Sequence, residues 1–483
     1  MTSSPPATRL DPAFIRQAAV LITGVLAVVF DTTIVNVALD TLGRDLHASI
    51  ATVQWVTTGY LLALAIVIPV TGWLLDQFGA KTVWISALAL FLAGSVGASL
   101  AWDAGSLITF RVVQGVGGGI MLPVMTTLLM QSLGGRSLGS ATAVIAMPVL
   151  LGPILGPVLG GLIVTHLTWR WIFWVNVPLC VVGMVLAWRM MAAPPPERRS
   201  RLDGWGLALL SPGIAAVVFG LARVGAEGGF GHPSVFLPIL AGALLILVFT
   251  VRAWKSRNPL VDVRLFRLRS FTTSNALLFL SGFALYGAML LVPLYFQQVR
   301  GQSALAAGLL LAPQGVGALL SRGVAGKLTD RIGARWIAFT GLVVVLLSTV
   351  PFALATADTP EWQLIVALVV RGAGLGAVTI PMMATAYAGL ERDAVPHASI
   401  ITRTVQQIGG SFGTAVLAVV LERAIASHAG DRASAFDIAF WCATAFTALA
   451  VLIALALPHQ AAAPSPDAST GAETPRMPTA QHR

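Results

Sequence analysis

The sequence predicts an all-α polytopic membrane protein with fourteen transmembrane helices, and three observations carry that expectation. Of its 483 residues, 56% are hydrophobic and only 10% are charged. The mean hydropathy is +0.83, which is more apolar surface than a water-soluble core of this length can hide. Apolar runs of about 20 residues, the length that crosses a hydrocarbon core, recur along the chain. A polar motif also occurs twice, as GWLLDQFGAK at 72–81 and GKLTDRIGAR at 326–335, each time at the end of an apolar run.

The spans fall in three groups. Six are expected at 15–39, 52–75, 82–102, 106–131, 138–165 and 171–191, and two at 204–223 and 234–254. Six more follow at 273–296, 304–324, 336–356, 362–388, 398–423 and 437–457. Many of the 48 glycines and 27 prolines lie inside these runs, which membrane helices tolerate because neighbouring helices re-satisfy the backbone. The motif copies close the second and tenth spans, whereas a simple six-plus-six duplication would place them at the second and eighth. Two helices, 204–254, are therefore inserted between two six-helix bundles, 14–192 and 272–457. Such internal repeats flank a midplane site in many transporters.

The remaining segments connect or flank the bundles. Residues 1–13 and 458–483 are rich in Pro, Ala, Ser and Thr and read as disordered tails. Residues 193–203 contain PPPERRSRLD and read as a linker. Residues 255–271 combine basic residues with Leu260, Val263, Leu265, Phe266 and Leu268. They fit an amphipathic segment on the membrane surface, held by apolar contacts and anionic lipid, and equally a solvated linker with a few buried residues.

Orientation follows from the basic residues. With both termini on one side, Arg44, Arg170, Arg223, Arg300, Arg423 and Arg432 fall on the other, and Arg111 and Arg371 lie within spans. The rest of the 30 Lys and Arg residues mark the termini's side as cytoplasmic, at a bacterial inner membrane. The net charge of +10 is then a topological signal and not a sign of nucleic-acid binding. The first run is too long for a signal peptide, and Cys180 and Cys442 imply neither a disulfide framework nor a metal site. The GVGGG run at 115–119 lies inside a span, so it is no dinucleotide loop. No Walker lysine or metal-spaced histidine is present, so the expectation is no enzyme, no cofactor and no direct use of ATP.

Several motifs resemble those of a known family. GWLLDQFGAK resembles the loop motif of major facilitator proteins, and RVVQGVGGG (111–119) their motif in helix four. GPILGPVLGG (152–161) is similar to their antiporter motif, with Gly152, Pro153, Gly156, Pro157, Gly160 and Gly161 as its residues. FDTTIVNVAL (30–39) and WRWIFWVNVP (169–178) resemble signatures of the 14-helix drug:H+ antiporter branch. Asp40, Gln77 and Ala80 depart from the family pattern. The resemblance implies a major facilitator fold, a proton gradient as the energy source and a small-molecule substrate.

Physical arguments give the motif residues roles. Asp76 and Asp330 sit at helix C-termini, where the macrodipole is already negative. Each needs compensation from another helix, available on one side of an alternating-access cycle only. Gly72, Asp76, Gly79, Asp330, Arg331 and Gly333 would then form a conformational latch, the alternative being surface acids in tight turns. Asp31 is the one acid deep within a span, and an intramembrane charge is a functional candidate by default. At about 1.5 Å per residue, Asp31 lies roughly 12 Å and Arg111 roughly 9 Å from the same membrane surface, so the two are expected to interact. An arginine that moves relative to Asp31 would change how readily the carboxylate holds a proton, which couples transport to H+. A permanent buried ion pair is the alternative. Gly152, Gly156 and Gly160 line one helical face and permit close approach of another helix, expected from the opposite half.

Asn36, Tyr60, Gln114, Met121, Phe283, Tyr286, Gln314, Arg371, Gln406 and Gln407 are candidates for a substrate cavity, since aromatic, Met and Gln side chains suit varied amphiphiles. Arg371 has no deep acid in its half, so it either bonds backbone carbonyls or faces the cavity. The combined expectation is a monomeric proton-coupled antiporter that exports amphipathic molecules, with a periplasmic adaptor as a conceivable partner. A proton symporter and a non-transporting sensor or scaffold are the competing readings.

Overall fold

A computed structural model of the chain describes residues 12–48, 50–133, 155–156, 159–191, 201–224, 227, 229–256, 258–356, 358–428 and 431–458. Most of the span expected at 138–165 lies outside them, as do residues 1–11 and 459–483 of the expected tails; residues 12 and 13, read as tail, begin the first helix. Among the described residues the protein is all helical, and twelve helices are long and apolar enough to cross a membrane.

The first group comprises α1 (Pro12–Val37), α2 (Trp55–Phe78), α3 (Ala80–Ser99), α4 (Ala104–Leu133) and α5 (Trp171–Met190). Then come α6 (Gly204–Arg223) and α7 (Pro233–Lys255). The last group is α8 (Arg269–Gln298), α9 (Ala312–Ile332), α10 (Ala334–Ala353), α11 (Glu361–Tyr387), α12 (Val395–Ser427) and α13 (Arg432–Ala454). Of these only α9 falls outside the twelve. It has the length but carries Gln314, Arg322, Lys327 and Asp330.

The two groups repeat one packing scheme. The helix α2 packs on α4, and α3 on α4; in the same way α9 packs on α11, and α10 on α11. Glycines make these approaches close, as small residues do between membrane helices. A Cβ on Gly115 would lie 2.5 Å from the Tyr60 carbonyl, and one on Gly119 2.6 Å from that of Leu64. Cβ atoms on Gly372 and Gly376 would meet the carbonyls of Gln314 and Ala318 in the same way. Tyr60 and Gln314, like Leu64 and Ala318, are separated by the interval that separates Gly72 from Gly326. The repeat visible in ten residues thus extends through whole helices.

The pair α6–α7 is joined at Gly213, Gly220 and Gly242 and rests on α2 and α12. Trp55 and Phe219 bring their ring centroids to 5.8 Å. Asp203 caps α6 through the Gly206 amide, and its other oxygen accepts from Arg252 of α7 at 2.7 Å. Burial pushes this carboxyl upward, but Arg252 and the Gly206 and Leu260 amides outweigh it and hold it below its ordinary value. The segment after α7 turns back in a short 3-10 helix, Val263–Arg267. Leu260, Val263 and Leu265 are buried in the protein core, and Phe266 and Leu268 are exposed. A surface lipid contact is thereby limited to those two side chains.

The core shows how the halves meet. One apolar cluster takes residues from both groups, joining Leu128 and Leu129 of α4 to Val395, Ala398 and Ile400 of α12. These lie at the end bearing the repeated basic motifs, called the basic end below. At the opposite end each group has its own cluster, around Phe30, Ile34 and Phe173 in one and around Tyr295, Phe352 and Phe436 in the other. Among the described residues the two groups meet at the basic end.

Candidate functional site

Between the groups lies a cavity of about 420 Å³, within the range of small-molecule sites. Four helices supply most of its wall. The helix α1 presents Val28, Val29, Thr32 and Thr33, and α8 presents Leu285, Tyr286, Met289 and Leu290 with the same spacing. The helix α2 adds Thr57, Tyr60, Leu61, Leu64 and Ile68, and α12 adds Arg403, Gln406, Gln407, Gly410, Ser411 and Thr414. Arg111, Gly118, Gly119, Leu122 and Pro123 of α4 complete it.

Behind this wall sits a buried charged network. Asp31 and Arg111 are fully buried, and Arg111 Nη1 donates to Asp31 Oδ2. Asp31 Oδ1 accepts from Gln114 Nε2 at 2.8 Å and from Asn176 Nδ2 at 3.0 Å. Arg111 also donates to Gln114 Oε1 at 2.8 Å and, through Nε, to the Val56 carbonyl at 3.2 Å. Its guanidinium lies 4.1 Å from the centre of the Tyr60 ring, a cation–π distance. Asn176 Nδ2 reaches Ser95 Oγ at 3.1 Å, which in turn donates to the Phe173 carbonyl. A buried ion pair persists only when its remaining lone pairs and protons are met in this way. Arg111 belongs to both places, since it lines the cavity and holds Asp31.

The basic end carries the contacts between halves. Ser399 Oγ donates to the Pro123 carbonyl at 3.0 Å, and Arg403 Nη2 to Thr126 Oγ1 at 3.2 Å. Gly72 is buried, and a Cβ there would lie in ordinary van der Waals contact with Ile400 and Pro396 of α12. Gly79 and Gly333 end α2 and α9 at φ of 75° and 92°, conformations that favour glycine. Asp76 is exposed, and His397 of α12 is close enough to feel its charge. Arg331 is exposed; the Asp330 side chain lies outside the described residues.

The structure sorts the cavity candidates by what surrounds them. Tyr60, Tyr286, Gln406 and Gln407 line the cavity. Gln114 does not, because both ends of its amide are committed to Asp31 and Arg111. Met121 is buried beside Gly24 in the first group, and Phe283 stacks on Phe446 at 4.1 Å. Gln314 and Arg371 bind each other at 2.8 Å. Arg371 also donates to the Ala284 carbonyl and Thr349 Oγ1, which settles its two alternatives in favour of neutral acceptors. The Asn36 side chain lies outside the described residues, as do Gly152, Pro153 and Pro157. Gly156 packs on Thr33 of α1, in its own half; Gly160 and Gly161 are buried in the helical stretch that follows.

Sequence reasoning missed Asn176, Ser95 and Arg403. Asn176 was visible as the single amide in the apolar run WIFWVNVPLC. Arg403 lies five residues into the span expected at 398–423, yet it was grouped with the basic-end residues. The helix begins at Val395, which carries Arg403 roughly 12 Å along it.

A sequence profile described as Major Facilitator Superfamily matches residues 21–414. The chain belongs to the major facilitator superfamily. It is a membrane transporter of that family and not an enzyme. It is 36% identical over 416 residues to the Multidrug resistance protein B homolog of Mycobacterium tuberculosis (strain ATCC 25618 / H37Rv), covering 86% of this chain and 77% of that one. It is 30% identical over 393 residues to the Lincomycin resistance protein LmrB of Bacillus subtilis (strain 168), covering 81% and 82%. Among solved structures, the human organic anion transporter MFSD10 superposes with a TM-score of 0.64 at 16% identity, covering 92% of this chain and all of that one. The proton:xylose symporter XylE superposes with a TM-score of 0.63 at 14% identity, covering 92% and 96%. These two share the fold.

Proposed function

We propose that this chain is a proton-coupled antiporter that exports amphipathic small molecules across a bacterial cytoplasmic membrane, with both termini cytoplasmic. The observation that carries the reading is the shared position of Arg111, which lines the cavity with one side and binds Asp31 with the other. Any rearrangement of the cavity that displaces Arg111 exposes a buried carboxylate without its cation, and such a carboxylate takes up a proton. Return of Arg111 releases that proton. The relatives named for multidrug and lincomycin resistance support a drug-like substrate.

In this reading the chain has fourteen spans, the twelve together with α9 and the 138–165 segment. It forms two six-helix bundles with α6 and α7 inserted between them. Closure at the basic end corresponds to the outward-facing state, held by Gly72 and Asp76 against α12. The repeated motif at Asp330 would act from the second half.

Transport in inside-out vesicles tests this. A fluorescent amphiphile is expected to accumulate only when a pH gradient is imposed, and Asp31→Asn is expected to abolish that accumulation while the purified protein stays folded. Gradient-driven transport that survives Asp31→Asn would remove Asp31 from the coupling.

A further inference from the structure

The charges facing the cavity do not balance. Among the described residues its lining contains two arginines, Arg111 and Arg403, and no aspartate or glutamate. Arg111 is neutralised from behind by Asp31. Arg403 has no such counter-ion, for among the described residues no carboxylate lies within ion-pair distance of it. Its bonds go to neutral oxygens, Thr126 Oγ1 at 3.2 Å and Gln406 Oε1 at 3.5 Å. Its Nε is buried with no hydrogen-bond partner among the described residues. A guanidinium held in this state is costly, and a ligand oxyanion that meets its free donors offsets the cost through charge-assisted hydrogen bonds. The neighbouring positions on α12 are polar but uncharged (Gln407, Ser411 and Thr414), and α1, α2 and α8 contribute apolar side chains to the lining, among them Val28, Leu61, Leu64 and Met289.

We propose that the cavity selects an amphipathic organic anion, whose charged head group pairs with Arg403 at the basic end while its apolar body lies along Val28, Leu61, Leu64 and Met289. The inference rests on the reading of this cavity as the transport site, and it adds the charge class of the substrate. The same arrangement rejects cations, since a like charge beside an uncompensated guanidinium is disfavoured.

Equilibrium binding to the purified full-length chain in lipid nanodiscs tests the proposal with three probes of one shape. These are 1-naphthaleneacetate, its neutral amide and 1-naphthylmethylammonium. The acid is expected to bind about tenfold or more tightly than the amide, as one charge-assisted contact provides, and the ammonium more weakly than either. Arg403→Gln should erase the acid's advantage while the amide's affinity stays put, and Arg403→Lys should keep part of it. Thr126→Val, which removes one of the two bonds between α12 and α4 and leaves the Arg403 charge in place, should preserve the advantage. The proposal is overturned if the amide or the ammonium matches the acid, or if the preference survives Arg403→Gln. Absence of saturable acid binding, or an Arg403→Gln variant that weakens acid and amide together, overturns it as well. No pH gradient enters these measurements, so failure of proton-driven transport in vesicles would be read separately.

Discussion

The two halves bury an arginine on the equivalent helix, one turn apart in register, and give it opposite surroundings. The glycines that seat α4 on α2 and α11 on α9 align Gly115 with Gly372 and Gly119 with Gly376. In that register Arg371 stands where the first half has Gln114, and Leu368 stands where it has Arg111. The cavity-lining residues of α1 and α8 share the interval, which places Ala288 opposite Asp31. The second half has therefore kept a buried guanidinium but lost the acid, and Arg371 is satisfied by Gln314, Thr349 and a backbone carbonyl. A charged pair can change its protonation when it is separated; an arginine among neutral acceptors cannot. Under the proposed function, this difference would put proton coupling in the first half and a fixed brace in the second.

Removing each arginine is the strongest way to break this comparison. Arg111→Met leaves Asp31 buried without its cation and is expected to cost about 3–5 kcal/mol, with loss of gradient-driven transport. Arg371→Met leaves only neutral acceptors unmet, which costs about 1–3 kcal/mol, and transport should keep its dependence on pH. Adding Asp31→Asn to Arg111→Met should recover stability and leave transport dead. Thermal unfolding in detergent and vesicle transport, measured on the same preparations, read both quantities. Equal costs for the two arginines would end the assignment.

Much of this asymmetry was legible in the sequence, and the reasons it was incomplete are physical. Asp31 and Arg111 could be placed at one depth because a helix rises at a fixed rate, and burial of an acid in a span is conspicuous. The repeat was legible only at 72–81 and 326–335, where turn geometry and charge restrict the choice of residue. Within the spans the two halves share packing but not side chains, and lipid-facing and core-facing positions are both apolar. Gln314 and Phe283 were therefore indistinguishable from cavity residues by type, since facing depends on rotation about the helix axis. Arg403 was misplaced because, only five residues inside the expected span 398–423, it was grouped with the basic residues flanking that end. Its lack of a counter-ion is a property of four helices at once and has no local signature.

The glycine contacts sharpen the comparison further. In both halves a glycine faces a carbonyl of the neighbouring helix, and the approach is tighter at Gly372 over Gln314 than at Gly115 over Tyr60. Overpacking costs about 1–3 kcal/mol where backbone must shift. Gly372→Ala is expected at the upper end and Gly115→Ala lower, because a brace with fixed acceptors loses its Arg371–Gln314 geometry when the helices part. Thermal unfolding of the two variants decides the order, and a larger loss at Gly115 would place the tighter constraint in the wrong half.

The smallest expected effect lies at Tyr60 and Gln314, which occupy equivalent positions on α2 and α9. Tyr60 serves Arg111 through its ring, at 4.1 Å, and its hydroxyl is buried with no hydrogen-bond partner among the described residues. Gln314 serves Arg371 through a hydrogen bond to its amide oxygen, at 2.8 Å. Tyr60→Phe keeps the ring and removes an unmet polar group, so stability should stay within about 0.5 kcal/mol of the parent or rise. Gln314→Leu removes an acceptor from a buried cation and should cost about 1–3 kcal/mol. If the two substitutions cost the same, the Tyr60 hydroxyl has a partner that matters, and the first arginine is held by more than Asp31, Gln114, the Val56 carbonyl and the Tyr60 ring.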